Sequence, residues 1–408
     1  MNVLDCSLRD GGFLNDWGFS SATMDRLVAF VADQPVDYIE VGYLDDAPGL
    51  TECAGSSPET LKRLQRISPR LAGMIRPTCP DWQVVLRARI GLVQLVRVTV
   101  QANNPSLSFE IAREAKALGF KVTLNITNVS AFAPDFLAQV AAAAPHVDAL
   151  YLADSRGNLE PKDVRPLVAA VRGVWTGEIG FHPHNNRQWA VENSAEALAA
   201  GCTWLDGSVC GMGLGGRNLR LEEALRLAGR SFSPALQEAQ DEDWELPAGT
   251  IPFELYRLAG RKNWPQDWVD SFVDELGVER VKEALREVPS KPWFEVEAVR
   301  PWLAPRAERA PFERMRIYQS QGADHEAAAR VFYDLVQPVH EKYGAIFLSR
   351  DVLSTGETIV RWLYPSEQAL EDIQKAVATD PDTLKNKAAR MRHGLHGRVF
   401  VEYHLPRK

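Results

Sequence analysis

The sequence predicts an α/β chain: a (β/α)8 (TIM) barrel, a helical appendix, and a C-terminal ferredoxin-like α+β domain. Three observations predict it. Through residues 1–229, eight short β-rich runs alternate with amphipathic helical segments, the count and length of such a barrel. Polar residues close these runs along the whole stretch, as they would if all met at one mouth. From residue 312 the order changes to β-α-β-β-α-β. A doubly wound sheet is the alternative for the first part, but only a few of the polar ends could meet at its switch point.

In order, the runs are Val3–Ser7, Tyr38–Tyr43, Leu71–Ile75, Leu92–Val100, Lys121–Ile126, Ala149–Ala153, Glu178–His182 and Thr203–Val209. Segments with apolar residues at helical spacing lie between them, at Ala22–Ala32, Leu107–Leu118, Pro134–Ala144, Lys162–Val171 and Trp189–Ala199, and a last helix follows at Leu219–Leu227. The polar run ends are Arg9-Asp10, Glu40, Thr99, Asn125, Asp154-Ser155, His182-His184 and Asp206. Residues 230–311 break this rhythm. Five of the eleven Trp fall there, with a helical run expected from Trp268 to Arg286, and we read the stretch as appendix and linker. In residues 312–408 we expect a strand (Arg314–Gln319), a helix (His325–Tyr343), a hairpin (Ala345–Leu353, Thr358–Tyr364) turning at Thr355-Gly356, a helix (Ser366–Ala378), a short helix and a strand (Gly397–His404). Small sheets of this kind pair face to face, so a homodimer or higher homo-oligomer is expected.

Composition narrows the function. At 408 residues and 45% hydrophobic the chain can bury a large core. A net charge of −8 with no long basic run speaks against nucleic acid and against an anionic membrane surface, which leaves a small molecule as the expected partner. Acidic and basic residues interrupt the apolar stretches of the first 30 residues, so neither a signal peptide nor a spanning segment is expected there. Five cysteines without Cys-x-x-Cys spacing fit reduced thiols, hence a cytoplasmic protein.

The chemistry centres on Phe181-His182-Pro183-His184-Asn185-Asn186. Two His at spacing two near a strand end share one face, and Pro183 suits the point where a sheet gives way to a loop. The first strand closes with Arg9-Asp10-Gly11-Gly12, a fixed cation beside a hard oxygen ligand. In a closed barrel, strands one, seven and eight are neighbours. Asp10, His182 and His184 then make a three-ligand site for a divalent ion, Mn²⁺ or Mg²⁺ first, Zn²⁺ or Co²⁺ next, with positions open for substrate. The loop Cys210–Asn218 lacks dinucleotide spacing and offers backbone amides to an anion; Asn218 either reaches the metal or caps a helix.

Leu8-Arg9-Asp10-Gly11-Gly12, Ile39-Glu40-Val41-Gly42, Asp154-Ser155-Arg156-Gly157, His182-Pro183-His184-Asn185-Asn186 and Gly211-Met212-Gly213 to Asn218 together resemble the metal-dependent DRE-TIM aldolases and lyases, nearest to the 4-hydroxy-2-oxovalerate aldolase type. The resemblance covers residues 1–229 and implies Asp10, His182 and His184 as metal ligands, Arg9 as the cation facing an enolate, and Ser155 as a substrate contact. It also shows a departure: the His expected three residues after the Asp is Phe13 here. Glu40, Tyr43, Asp16 and a metal-bound water are then the candidates for the base, with Glu40 read more readily as an ion-pair partner of Arg9 or Arg76. The expected catalytic set is Arg9, Asp10, Glu40 and Tyr43, and the expected substrate contacts are Ser155, Thr99, Gly213 and Asn218. The stretches Pro338–Gly344 and Val360–Tyr364 resemble the NIPSNAP group of dimeric α+β barrels. The expected activity is cleavage or formation of a carbon–carbon bond next to a 2-oxo acid. The alternatives are condensation of an acyl-CoA with a 2-oxo acid, or a C-terminal binding module with His340, Tyr343 or Arg361 in its pocket.

Overall fold

Eight parallel strands close on themselves in the computed structural model, which describes residues 1–246, 251–304, 311–319, 325–354, 356–385 and 399–406. They are β1 (Asn2–Asp5), β2 (Tyr38–Tyr43), β3 (Leu71–Ile75), β4 (Leu95–Val100), β5 (Lys121–Ile126), β6 (Ala149–Asp154), β7 (Glu178–Pro183) and β8 (Trp204–Gly207). Each pairs with the next, and β1 closes the ring on β8 from Asn2↔Trp204 to Asp5↔Gly207. The expected TIM barrel is what the chain forms. Crossover helices wrap the ring, and local chemistry sets where they start. Ser20 opens the helix Ser21–Ala32, accepting from the Thr23 N–H, and Ser57 does the same for Pro58–Gln65, where Pro58 fits the first helical turn.

Both faces of the strands are buried, as the near-continuous apolar runs require. Outward residues such as Val96, Val98 and Val100 join the large core under the helices. Inward residues fill the barrel. At the amino ends of the strands these are Leu4, Tyr38, Ala72, Leu95, Ala149, Tyr151 and Trp204, with Tyr38 stacked on Trp204 at 5.4 Å. Gly180 makes room there, because a Cβ would come within 2.5 Å of the Tyr151 ring.

Several element boundaries differ from expectation. The first strand stops at Asp5, and Ser7–Gly11 form a short helix, α1, that carries Arg9 and Asp10. The fourth strand begins at Leu95 because the Leu92 and Val93 amides still close the turn from Arg89. The helical run expected over Trp268–Arg286 breaks at Gly277, φ 81°, into Gln266–Leu276 and Val278–Glu287.

The chain forms two compact units, and their division falls at that break. The first comprises Met1–Val278 with Ser290–Pro292, the second Glu279–Pro289 with Trp293–Lys408. In the second, β9 (Phe312–Gln319), β10 (Ile346–Val352), β11 (Glu357–Tyr364) and β12 (Val399–Pro406) make an antiparallel sheet in the order β10-β11-β9-β12. With the helices His325–Val331, Gln337–Lys342 and Glu367–Thr379 this is the expected ferredoxin-like α+β arrangement. A π-helical turn at Phe332–Val336 interrupts the helix expected across His325–Tyr343. Thr355 of the expected turn and residues 397–398 of the expected last strand lie outside the described residues. Val360, Trp362 and Tyr364 pack with Phe332, Val339, Leu370 and Ile373 in this unit's core.

Candidate active site

A layer of paired charges sits above the apolar plug of the barrel. Alternation along the strands points Glu40, Arg97, His182 and Asp206 inward, each at the next inward position beyond the apolar layer. The Arg97 guanidinium joins two carboxylates, donating from Nη1 to Glu40 Oε2 at 3.0 Å and from Nη2 to Asp206 Oδ2 at 2.5 Å, while it stacks over the Tyr151 ring. Arg9 reaches the same Glu40 oxygen from α1, Nε to Oε2 at 2.8 Å, and also donates to Asp10. All of these side chains are buried, so each charge needs the others.

On that layer rests the expected triad. The ligand atoms of Asp10, His182 and His184 all lie within 4.8 Å of one another. The two Nε2 atoms face each other at 3.2 Å, and Asp10 Oδ2 lies 3.5 Å from one and 3.7 Å from the other. The other nitrogen of His182, Nδ1, is 2.9 Å from Asp206 Oδ2, which turns Nε2 toward the triad. Burial works against charge on Asp10, but Arg9 and the hydrogen bond from His182 outweigh it and hold the carboxyl well below its ordinary range. Burial pushes His184 down to about 3, so its ring is neutral at pH 7. For His182 burial also favours the neutral ring, but its bonds to Asp10 and Asp206 raise it above the ordinary imidazole value.

These residues fit a divalent cation on the structure's own evidence. Two imidazole nitrogens facing each other at 3.2 Å repel through their lone pairs unless a proton or a cation lies between them, and the carboxylate beside them supplies the negative charge. Asn218 stands on the same spot. Its amide nitrogen donates to Asp10 and to the Met212 carbonyl at 3.0 Å, and its carbonyl oxygen is buried without a partner. Gly213 packs directly on that amide, where a Cβ would lie 2.4 Å from Nδ2.

The other expected residues divide. Tyr43, the last residue of β2, is buried with its ring edge-on to Trp17 and under the Arg76 guanidinium at 4.2 Å, and burial raises its hydroxyl above the ordinary phenol value. Thr99 faces inward from β4 and is half-buried. Ser155 is held elsewhere: its hydroxyl accepts from the Asn128 N–H at 3.0 Å and its carbonyl from Gln266 Nε2 at 2.6 Å. Asp154, expected at the mouth, points outward and accepts from the Asn158 and Leu159 amides, and burial carries it up to about 7. Asp16 is exposed. In the glycine loop, the Gly216 amide is taken by Asn186 Oδ1 and Gln266 Oε1, so this part of it serves packing and not a ligand. Sequence reasoning missed Arg97. Its one signal was a cation inside the alternating run Leu95-Val96-Arg97-Val98-Thr99-Val100.

The pattern of the HMGL-like family matches residues 1–237. Among curated relatives, an oxaloacetate decarboxylase of Mycobacterium tuberculosis is 29% identical over 295 residues, 70% of this chain and 86% of that protein. A 4-hydroxy-2-oxovalerate aldolase of Geobacillus genomosp. 3 is 29% identical over 238 residues, 56% of this chain and 71% of that protein. Among solved structures, the N-terminal domain of a candidate aldolase from Bacteroides vulgatus aligns with a TM-score of 0.58 at 29% identity, covering 67% of this chain and 96% of that one. The carboxyl transferase domain of Rhizobium etli pyruvate carboxylase aligns at 15% identity with a TM-score of 0.55, over 70% of this chain and 56% of that one, a likeness of fold. No described helix is long and apolar enough to cross a membrane. With more than half its length matched, the chain belongs to the HMGL-like family, and with it to the carbon–carbon lyases.

Proposed function

We propose that the protein is a divalent-metal-dependent lyase that cleaves a carbon–carbon bond beside the keto group of a 2-oxo acid through a pyruvate-type enolate. The observation that carries this reading is the buried meeting of Asp10, His182 and His184 beside Arg9 at the carboxyl end of the barrel. Both curated relatives named above act, by their names, on 2-oxo acids. Asp10, His182 and His184 would hold the cation, Mn²⁺ or Mg²⁺ by this oxygen and nitrogen donor set, with Asn218 beside it. Bound there, it supplies Lewis acidity to the keto and carboxylate oxygens of the substrate. Arg9 is preorganised by Glu40 and presents a fixed positive charge to the oxygen on which negative charge develops. Glu40 serves as its positioning partner. Tyr43 remains a phenol at neutral pH, so it acts as a proton donor. Gly213 and Thr99 line the substrate's place, and Ser155 supports the rim through Asn128.

The C-terminal unit we take as a dimerising module of NIPSNAP type, supported by its strand order. Five free, buried cysteines support a reducing, cytoplasmic setting. The central test is release of pyruvate from 4-hydroxy-2-oxo acids and from oxaloacetate by Mn²⁺-loaded protein. Asp10→Asn should lower the rate by about 10³, several kcal/mol of barrier. Equal rates for the two proteins would end the reading.

A further inference from the structure

The aromatic wall beside Arg9 ends on a cation that no carboxylate of the described residues pairs. Trp17 Nε1 donates to the Arg9 carbonyl at 2.8 Å, so the wall begins at the triad's own helix. Phe13 packs edge-on to Trp17 at 4.5 Å, and Trp17 edge-on to Tyr43 at 5.6 Å. Over the Tyr43 ring lies the Arg76 guanidinium, 4.2 Å from the ring centroid. Arg76 directly follows β3, so it stands at the same barrel end as Asp10 and the two His, and the Tyr43 hydroxyl lies in the field of both Arg9 and Arg76. Three other arginines at this end pair with carboxylates, Arg9 with Asp10 and Glu40, Arg187 with Glu160 and Arg217 with Asp241, and Arg156 is taken up by Asn128 and Asn263. Arg76 has no carboxylate partner among the described residues, and it is half-exposed. A guanidinium held flat on an aromatic ring, with its donors unspent, is a ready receptor for a carboxylate.

We propose that Arg76, seated on Tyr43, receives a second carboxylate at the distal end of the substrate, so that the preferred 2-oxo acid is a diacid. This rests on the lyase reading above. A guanidinium that holds a carboxylate stabilises it as an anion and opposes its loss as carbon dioxide, so the distal carboxylate stays on the product. The fitting reaction is cleavage of a 4-hydroxy-2-oxo diacid. The C3–C4 bond breaks, its electron pair stays on C3 as the enolate, and C3 takes a proton to become pyruvate. The C4 hydroxyl gives up its proton as C4 becomes a carbonyl, and the second product leaves with its carboxylate intact. No further reactant is needed.

The test compares 4-hydroxy-2-oxoglutarate with 4-hydroxy-2-oxovalerate, equal in chain length and differing in a terminal carboxylate against a methyl, on the Mn²⁺-loaded full chain. Wild type should favour the diacid in kcat/KM by roughly tenfold to a hundredfold, the range of a charge-assisted hydrogen bond. Arg76→Gln should collapse that ratio through KM. Arg76→Lys should restore part of it, and Tyr43→Phe should keep the ratio whatever it does to kcat. An unchanged ratio in Arg76→Gln, or a wild type indifferent to the distal group, overturns the proposal while pyruvate release leaves the lyase reading standing. Cleavage of neither acid, together with no calorimetric binding of oxalate in the presence of Mn²⁺, overturns both.

Discussion

The two halves of the barrel interior solve opposite problems with the same strands. Toward the amino ends, Leu4, Ala72, Leu95 and Ala149 surround Tyr38, Tyr151 and Trp204, and mainly apolar surface fills the space. One inward position further along, the same strands offer Glu40, Arg97 and Asp206, whose charges are matched within the layer at 2.5 to 3.0 Å. The lower half is cheap to bury and indifferent to identity so long as volume is kept. The upper half is costly, since each buried ion depends on a partner, and such a network survives where it positions something. Here it positions Arg9 through Glu40 and His182 through Asp206.

Breaking the lower half should unsettle the fold and leave the triad alone. Trp204→Ala is expected to lower stability by about 3 to 5 kcal/mol with little change in Mn²⁺ affinity, read by urea unfolding and metal titration side by side. A large loss of affinity would mean the halves are not separable. Breaking the upper half should do the reverse. Asp206→Asn takes the negative charge from the acceptor that orients His182, and Mn²⁺ affinity is expected to fall 10- to 100-fold, about 1.4 to 2.7 kcal/mol. Unchanged affinity would reduce Asp206 to a partner of Arg97.

A pH-dependent effect sharpens the contrast from outside the ring. Asp5 faces away from the barrel axis with the Ser7 hydroxyl and amide as its hydrogen-bond donors and no ion-pair partner among the described residues, and burial drives its carboxyl up to about 7. An unfolded Asp titrates near about 3.9. Between those values the folded chain holds a proton that the unfolded chain has lost, so stability falls as pH rises from about 4 to about 7. The slope from this one group is about 1.4 kcal/mol per pH unit, and Asp5→Asn should flatten it. Urea midpoints at pH 5 and pH 7 for both proteins give the answer; parallel curves would show that Asp5 is ionised throughout. Glu40 is buried with two arginines as partners, whereas Asp5 is buried without an ion-pair partner among the described residues and takes up protons more readily.

The elements that local pattern decides were legible. Strand-helix alternation announced the barrel, and the spacing of His182 and His184 placed both rings on one face. What escaped was set by geometry across the ring. Glu40 was readable as a partner of Arg9, but its second partner, Arg97, is 57 residues away and meets it only because the strands close. Asp154 was misplaced because the strand runs one residue further than expected, and alternation then turns its side chain outward. Short range failed once as well. Ser7–Gly11 reads as a strand running into a glycine turn, whereas the backbone coils at once, with the Asp10 N–H donating to the Cys6 carbonyl at 2.9 Å.

That single coil, α1, sets Arg9 and Asp10 side by side on one rigid scrap of backbone. The backbones that carry the two opposite charges move together. A backbone displacement that carries Asp10 away from the histidines carries Arg9 with it. A backbone probe on either residue would therefore report drift of both.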